Sequence, residues 1–310
     1  MAMTRRNFIK AFGAAATVAG LGLAGCSGGD SGSGSASGDS ASKLQTIKDR
    51  GVLNCGVKAD VLGYGYLNTE TNEYEGLEID LCYQIAAAVL ETTYEEAKEK
   101  GLFVIADIKR GDIGSTAAAY AEGWLSGAPI EGQMFKSFDA DCVTLNGYMG
   151  SDSIKPFLEA AKGEDKCAFV LVKTSNPGSG ELQDMVAGDR LVYQVMGDLN
   201  QRIAKGTEGK YGYTMAGAVT GATYPSDIRA LRKRLEHTFF LVPGYGAQGG
   251  TAEDVQYAFD KYGHGAIVNS SRGIMCAWKK TGGDGHDFQE AARNAAIAMK
   301  EDIARFVTIQ

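Results

Sequence analysis

From about residue 100 onward the chain alternates short apolar runs with longer stretches in which apolar residues recur every three or four positions. The apolar runs fall at 102–107, 139–145, 167–174, 214–221, 238–243 and 265–270, each short enough for one strand. Helical spacing is seen over 225–235, 251–262 and 286–306. Strands that alternate with helices predict an α/β fold with a parallel sheet. In such a sheet the chemistry gathers just beyond the C-terminal ends of the strands, so the residues following each apolar run are the ones to read.

The first of these positions is the most informative. Asp107-Ile108-Lys109-Arg110-Gly111-Asp112 follows Leu102-Phe103-Val104-Ile105-Ala106 and places two carboxylates around one ammonium at a strand end. Asp107 and Lys109 are two apart and share one face of an extended segment, while Asp112 lies beyond it in a loop. A carboxylate held beside a substrate carboxylate disfavours the charged ground state. A neighbouring lysine can protonate the carbanion left when carbon dioxide departs. That is decarboxylation without a cofactor. Alone, the same residues read first as a salt-bridged strand end that caps the next helix, and it is the blocks downstream that turn the reading toward chemistry.

Further blocks follow the later runs: Val172-Lys173-Thr174-Ser175-Asn176-Pro177, Gly221-Ala222-Thr223-Tyr224-Pro225, Val242 to Thr251 with Gly246-Ala247-Gln248-Gly249-Gly250, and Asn269-Ser270-Ser271-Arg272-Gly273. In this order the blocks closely resemble the orotidine 5'-phosphate decarboxylases of the longer bacterial subfamily, from about Tyr94 to the C-terminus. The resemblance implies a (β/α)8 barrel of the TIM type and conversion of orotidine monophosphate (OMP) to uridine monophosphate (UMP) in pyrimidine biosynthesis, with no cofactor. It assigns Lys109 as proton donor to C6 of the pyrimidine, with Asp107 beside the leaving carboxylate. Asp112, a catalytic residue, and Thr116 would act across a homodimer interface. Ser175 would bind the pyrimidine. Gln248, the backbone N–H groups of Gly249 and Gly250, and Arg272 would hold the phosphate, since glycine lets amides approach an anion and arginine offers a forked donor.

An eight-stranded barrel needs eight β/α units, and only six candidate strands follow Tyr94. The family's first strand supplies an aspartate to the ribose and its second a lysine to the charged network, and neither position is recognisable. In their place residues 44–93, with Leu44-Gln45-Thr46-Ile47-Lys48-Asp49-Arg50-Gly51-Val52-Leu53 and Tyr74-Glu75-Gly76-Leu77-Glu78-Ile79-Asp80-Leu81, resemble the opening of a periplasmic amino-acid-binding protein of the ABC transporter type. A strand over 52–57 and a helix from Glu78 to Leu90 could dock as one substitute barrel unit, which would still leave the barrel a strand short, and Lys58 and Asp60 at that strand's end are not expected to replace the lost charges. Ahead of them, residues 1–25 resemble a twin-arginine, lipoprotein-type signal: Arg5-Arg6, an apolar run from Ala11 to Ala24, and Leu23-Ala24-Gly25-Cys26. Cys26 would be lipidated and give a membrane anchor. Residues 26–43, mostly Ser, Gly, Ala and Asp, read as a flexible linker. The body, residues 94–310, thus points to the cytoplasm and the signal to export. Two other readings follow from this mixture: an exported amino-acid-binding lipoprotein, and an inactive fusion product.

Composition narrows the partners. With 31 Lys and Arg against 38 Asp and Glu, the net charge is -7, and no basic run past the signal suggests nucleic-acid binding. The six cysteines include no C-x-x-C pair and, Cys26 aside, read as buried thiols. His237, His264 and His286 lack metal-ligand spacing, so no metal is expected. Asp139 and Asp141 are read as strand-end residues, and Gly147, where the resembled family carries proline, as a loosened loop position.

Overall fold

The structure is a computed structural model that describes residues 60–61, 65–68, 73–75, 90–281 and 285–310. Two compact units divide the chain at Thr92 and Thr93. In the first, Asp60–Val61, Gly65–Asn68 and Glu73–Glu75 form a three-stranded antiparallel sheet in chain order. The signal, Cys26, the linker, the strand expected over 52–57, Lys58, the side chain of Asp60 and all but the end of the helix expected from Glu78 lie outside the described residues.

In the second unit six strands form one sheet: β1 (Ile105–Arg110), β2 (Cys142–Leu145), β3 (Cys167–Lys173), β4 (Ala216–Thr220), β5 (Phe240–Pro243) and β6 (Ala266–Asn269). Every neighbouring pair is parallel and the spatial order equals the chain order. All six fall within or beside the apolar runs, so the parallel α/β architecture follows the sequence pattern. The sheet is curled in the TIM-barrel manner, and its strands β3 to β5 are apolar on both faces. In β3, Cys167, Phe169 and Leu171 meet Cys142, Val219 and Leu241 inside the curl. Ala168, Val170 and Val172 lie on the other side, beneath helices. A strand covered twice has no polar face to show, which is why these runs are continuous rather than alternating.

The covering helices include α1 (Gly114–Ala121), α2 (Lys155–Ala161), α3 (Val192–Ala204), α4 (Pro225–Arg234) and α5 (Phe288–Ala304). Proline opens α4 at its first turn, where a missing N–H costs nothing. Phe157 and Leu158 of α2 and Ile228 and Leu231 of α4 are buried against the sheet, each worth about 1.5–3 kcal/mol.

Three local features differ from the sequence pattern. β1 starts at Ile105, because Leu102 and Phe103 remain exposed. The helix expected over 251–262 is a single turn, Ala252–Val255, capped by Thr251 and Asp254 and followed by a 3₁₀ turn at Gln256–Ala258. A hairpin of Ala128–Ile130 with Gln133–Phe135 turns through Glu131 and Gly132, both at positive φ.

Away from the C-terminal rim, Asp139 binds Lys98, Lys136 and Lys166, and Lys98 also meets Asp141. Burial raises the Asp139 carboxyl, but hydrogen bonds from Lys166 and Lys98 outweigh it and bring its pKa down to about 2. These aspartates are structural ties ahead of β2. Gly147 is not a loose position either: a Cβ there would sit 2.7 Å from Met196 Sδ. Cys142 is a buried thiol pushed well up by burial, and Cys167 and Cys276 are half-buried free thiols. Among the described residues no helix is long and apolar enough to cross a membrane, and no three metal-ligating side chains converge.

Candidate active site

The C-terminal ends of the six strands surround a cavity of about 670 Å³. Asp107 and Lys109 of β1 enter it from one side, Ser175 after β3 from another, Gln248 after β5 and Arg272 after β6 from the far side. Five residues expected at the site from the sequence therefore share one space.

β1 does not run as a regular strand. Lys109 has φ 48°, and pairing with β2 shifts register between Ala106 and Arg110. Even so, Lys109 Nζ donates to Asp107 Oδ2 at 2.5 Å. Thr144 of β2, buried to 1% exposure, locks this bend: its hydroxyl donates to Asp107 Oδ1 at 2.7 Å and accepts from the Lys109 backbone N–H at 3.0 Å. One oxygen of Asp107 thus faces a hydroxyl and the other an ammonium. Both charged side chains are more than half exposed, so the pair contributes at most about 1 kcal/mol to stability. Its placement on the cavity is the more informative property.

On the opposite side, Ser175 Oγ donates to Gln248 Oε1 at 2.7 Å, joining the β3 loop to the β5 loop. Gly221 permits this approach, because a Cβ there would lie 2.8 Å from both Ser175 N and Cβ. The β5 loop turns through Gly244, Gly246 and Gly249, all at positive φ. Tyr245 anchors it: its hydroxyl donates to Asp302 of α5 at 2.6 Å and its carbonyl accepts from Ser270 Oγ at 3.0 Å. Burial and the Asp302 contact push the Tyr245 phenol up to about 12.

Two expectations about this loop need correction. Gly249 N donates to Gly246 O and Gly250 N to Gly244 O, and neither glycine lines the cavity. The loop is tight enough to satisfy its own amides, so these two N–H groups are not free donors. Gln248 and Arg272 do line the cavity. Asp112 and Thr116 also lie off it. Asp112 Oδ1 accepts from Ile113 N at 2.8 Å, and Thr116 is exposed on the first turn of α1.

Thr144, Gln183, Tyr245 and Asn269 belong to the site and were not singled out from the sequence. Thr144 stood two residues before a cavity-lining asparagine, Asn146, but nothing in the pattern reveals that it faces Asp107.

A curled parallel sheet with a charged pair at one strand end and polar loops facing it across a cavity defines an enzyme of the TIM-barrel class. Within that class, residues 69–281 match the orotidine 5'-phosphate decarboxylase / HUMPS family, and the chain belongs to it. The match begins upstream of the junction read from the sequence near residues 90–94. Among curated relatives, the orotidine 5'-phosphate decarboxylase of Clostridium botulinum (strain Langeland / NCTC 10281 / Type F) is 38% identical over 285 residues, covering 84% of this chain and 96% of the relative. That of Rhodopirellula baltica is 44% identical over 211 residues, covering 67% and 69%. Among solved structures, Leishmania donovani OMP decarboxylase is 33% identical with a TM-score of 0.53, covering 70% of this chain and 74% of that one. These relatives lend no support to a fused amino-acid-binding lipoprotein.

Proposed function

We propose that the chain is a carboxy-lyase that converts OMP to UMP without a cofactor. The observation that carries this reading is the Lys109–Asp107 contact on the cavity that Ser175, Gln248 and Arg272 also line. The substrate carboxylate would be placed against Asp107, where like charges raise the energy of the ground state. When the bond from C6 to the carboxyl carbon breaks, its electron pair stays on C6 and carbon dioxide leaves. Lys109 Nζ then delivers its proton to C6, and solvent re-protonates the amine. The ammonium also stabilises the developing carbanion from a fixed position. Ser175 would contact the pyrimidine. Gln248 and Arg272 would take the phosphate, supplying binding energy remote from the bond that breaks.

Asp112 and Thr116 fit this scheme through a homodimer. Both lie close in sequence to the reacting pair yet off this protomer's cavity, and a second copy would receive them at its own site. The reading places the activity in the cytoplasm, where pyrimidine synthesis takes place.

The test is loss of OMP absorbance with the full-length chain, with Lys109→Ala as control. Turnover that Lys109→Ala abolishes supports the assignment. A folded, monodisperse wild-type protein without turnover, or a Lys109→Ala variant that keeps it, overturns it.

A further inference from the structure

Lys173 takes no part in the scheme above, yet it is among the most deeply placed charges in the fold. It ends β3, and pairing with β4 skips a residue there: Val219 pairs with Leu171 and Thr220 with Lys173. The irregularity falls at Val172, and Lys173 beyond it is buried, at 1% exposure, against α3 and the start of α4. Its ammonium lies 4.5 Å from the Tyr224 ring centroid and 5.2 Å from that of Tyr193. It pairs with Asp184, and Asp227 stands 3.8 Å away. A buried ammonium without such partners would be strongly disfavoured.

Asp184 belongs to an excursion between β3 and α3. Residues 174–191 pass through a 3₁₀ turn at Pro177–Ser179, a short helix at Gly180–Gln183 and a hairpin of Val186–Ala187 with Arg190–Leu191. Leu182 and Gln183 of this excursion form one wall of the cavity, beside Thr174, Ser175 and Asn176. Gln183 Oε1 accepts from Thr174 N at 2.9 Å, and Gln183 Nε2 donates to Thr174 Oγ1 at 2.8 Å. Two consecutive residues of the excursion, Gln183 and Asp184, therefore grip two consecutive residues at the strand end, Thr174 and Lys173. One grip faces the cavity, and the other holds the buried Lys173 ammonium.

We propose that Lys173 and Asp184 are a positioning pair that fixes the 174–191 excursion as a wall of the substrate cavity, and so sets affinity at the end of the site where Ser175 stands. The proposal rests on the decarboxylase reading for the identity of the substrate. Neither side chain reaches the reacting atoms, so its loss should act on binding in ground and transition states alike.

The experiment compares wild type, Lys173→Met, Asp184→Asn and Asp184→Glu as full-length proteins, by OMP kinetics, calorimetric UMP affinity and amide hydrogen exchange. Lys173→Met and Asp184→Asn should raise KM about tenfold with kcat within about twofold, the pattern of lost uniform binding. Exchange should quicken over 177–191 and stay unchanged in the strands, and Asp184→Glu, which keeps the charge, should restore most of the affinity. Asp184 is 43% exposed, so Asp184→Asn decides the matter should Lys173→Met fail to fold. Faster exchange with unchanged KM and UMP affinity would make the pair merely structural and overturn the proposal. An equal fall in kcat and kcat/KM would overturn it too. If wild type binds UMP but does not turn over OMP, the decarboxylase reading alone falls. The pair is then judged on UMP affinity: about tenfold weakening supports it and unchanged affinity overturns it.

Discussion

Replacing Thr144 with valine keeps the shape of a fully buried side chain and removes only its hydroxyl. That hydroxyl donates to Asp107 Oδ1 at 2.7 Å and accepts from Lys109 N at 3.0 Å. A hydrogen bond to a charged acceptor is worth about 1.5–3 kcal/mol. Asp107 is 59% exposed, so water replaces part of the loss and the lower figure, about 1.5 kcal/mol, applies. The second contact holds Lys109 at φ 48°, a left-handed conformation that costs a residue with a side chain about 1–2 kcal/mol. Without it the bend relaxes and Lys109 Nζ drifts from Asp107. At about 1.4 kcal/mol per decade, Thr144→Val should lower kcat/KM for OMP about tenfold. Thr144→Ser, which keeps the hydroxyl, should retain most of it. The assay is steady-state decarboxylation at neutral pH, with thermal unfolding to show that both variants fold. A Thr144→Val enzyme within about twofold of wild type would refute the claim that this hydroxyl organises the reacting pair.

Two further perturbations probe the frame around the site. Asp139 has its pKa lowered from 3.8 to about 2, so its contribution to stability is full above about pH 4 and is lost as pH falls toward the folded value. The linkage is at most about 2.4 kcal/mol, and about 1–2 kcal/mol with a third of the side chain in water. Denaturant melts should show wild type losing stability more steeply than Asp139→Asn between about pH 4 and 2, and parallel curves would refute it. Gly221→Ala forces a Cβ to within 2.8 Å of Ser175. It should cost about 1–3 kcal/mol of stability and raise KM for OMP. An unchanged KM would show that Ser175 need not keep its place.

Much of this was legible in the sequence because parallel strands covered on both faces leave an unmistakable record. β3 is apolar from Cys167 to Val172 since both of its sides are buried, and the same logic marks β4 and β5. The residues just after those runs could then be read as candidate chemistry, and Asp107, Lys109, Ser175, Gln248 and Arg272 do meet on one cavity. What stayed hidden depends on the backbone departing from its regular period. The bend at Lys109 and the extra residue at Val172 each redirect a side chain, and no periodic pattern encodes either. Thr144 and Lys173 acquire their roles only through those departures. The amides of Gly249 and Gly250 illustrate the converse: a glycine-rich loop looks like an anion cradle in sequence, yet it can close on itself.

Because each of β2 to β6 pairs with the strand of the same sheet that precedes it in the chain, synthesis and assembly can run in the same direction. Each β/α unit emerging from the ribosome finds its docking edge already laid down, a pairing plan that spares the chain long searches. Arg272 follows the last strand, and the Tyr245 anchor waits for α5. The Asp107–Lys109 pair on β1, with Thr144 of β2 beside it, can therefore be organised on a nascent chain before Arg272 is made; under the proposed function, the frame for proton transfer precedes the phosphate grip.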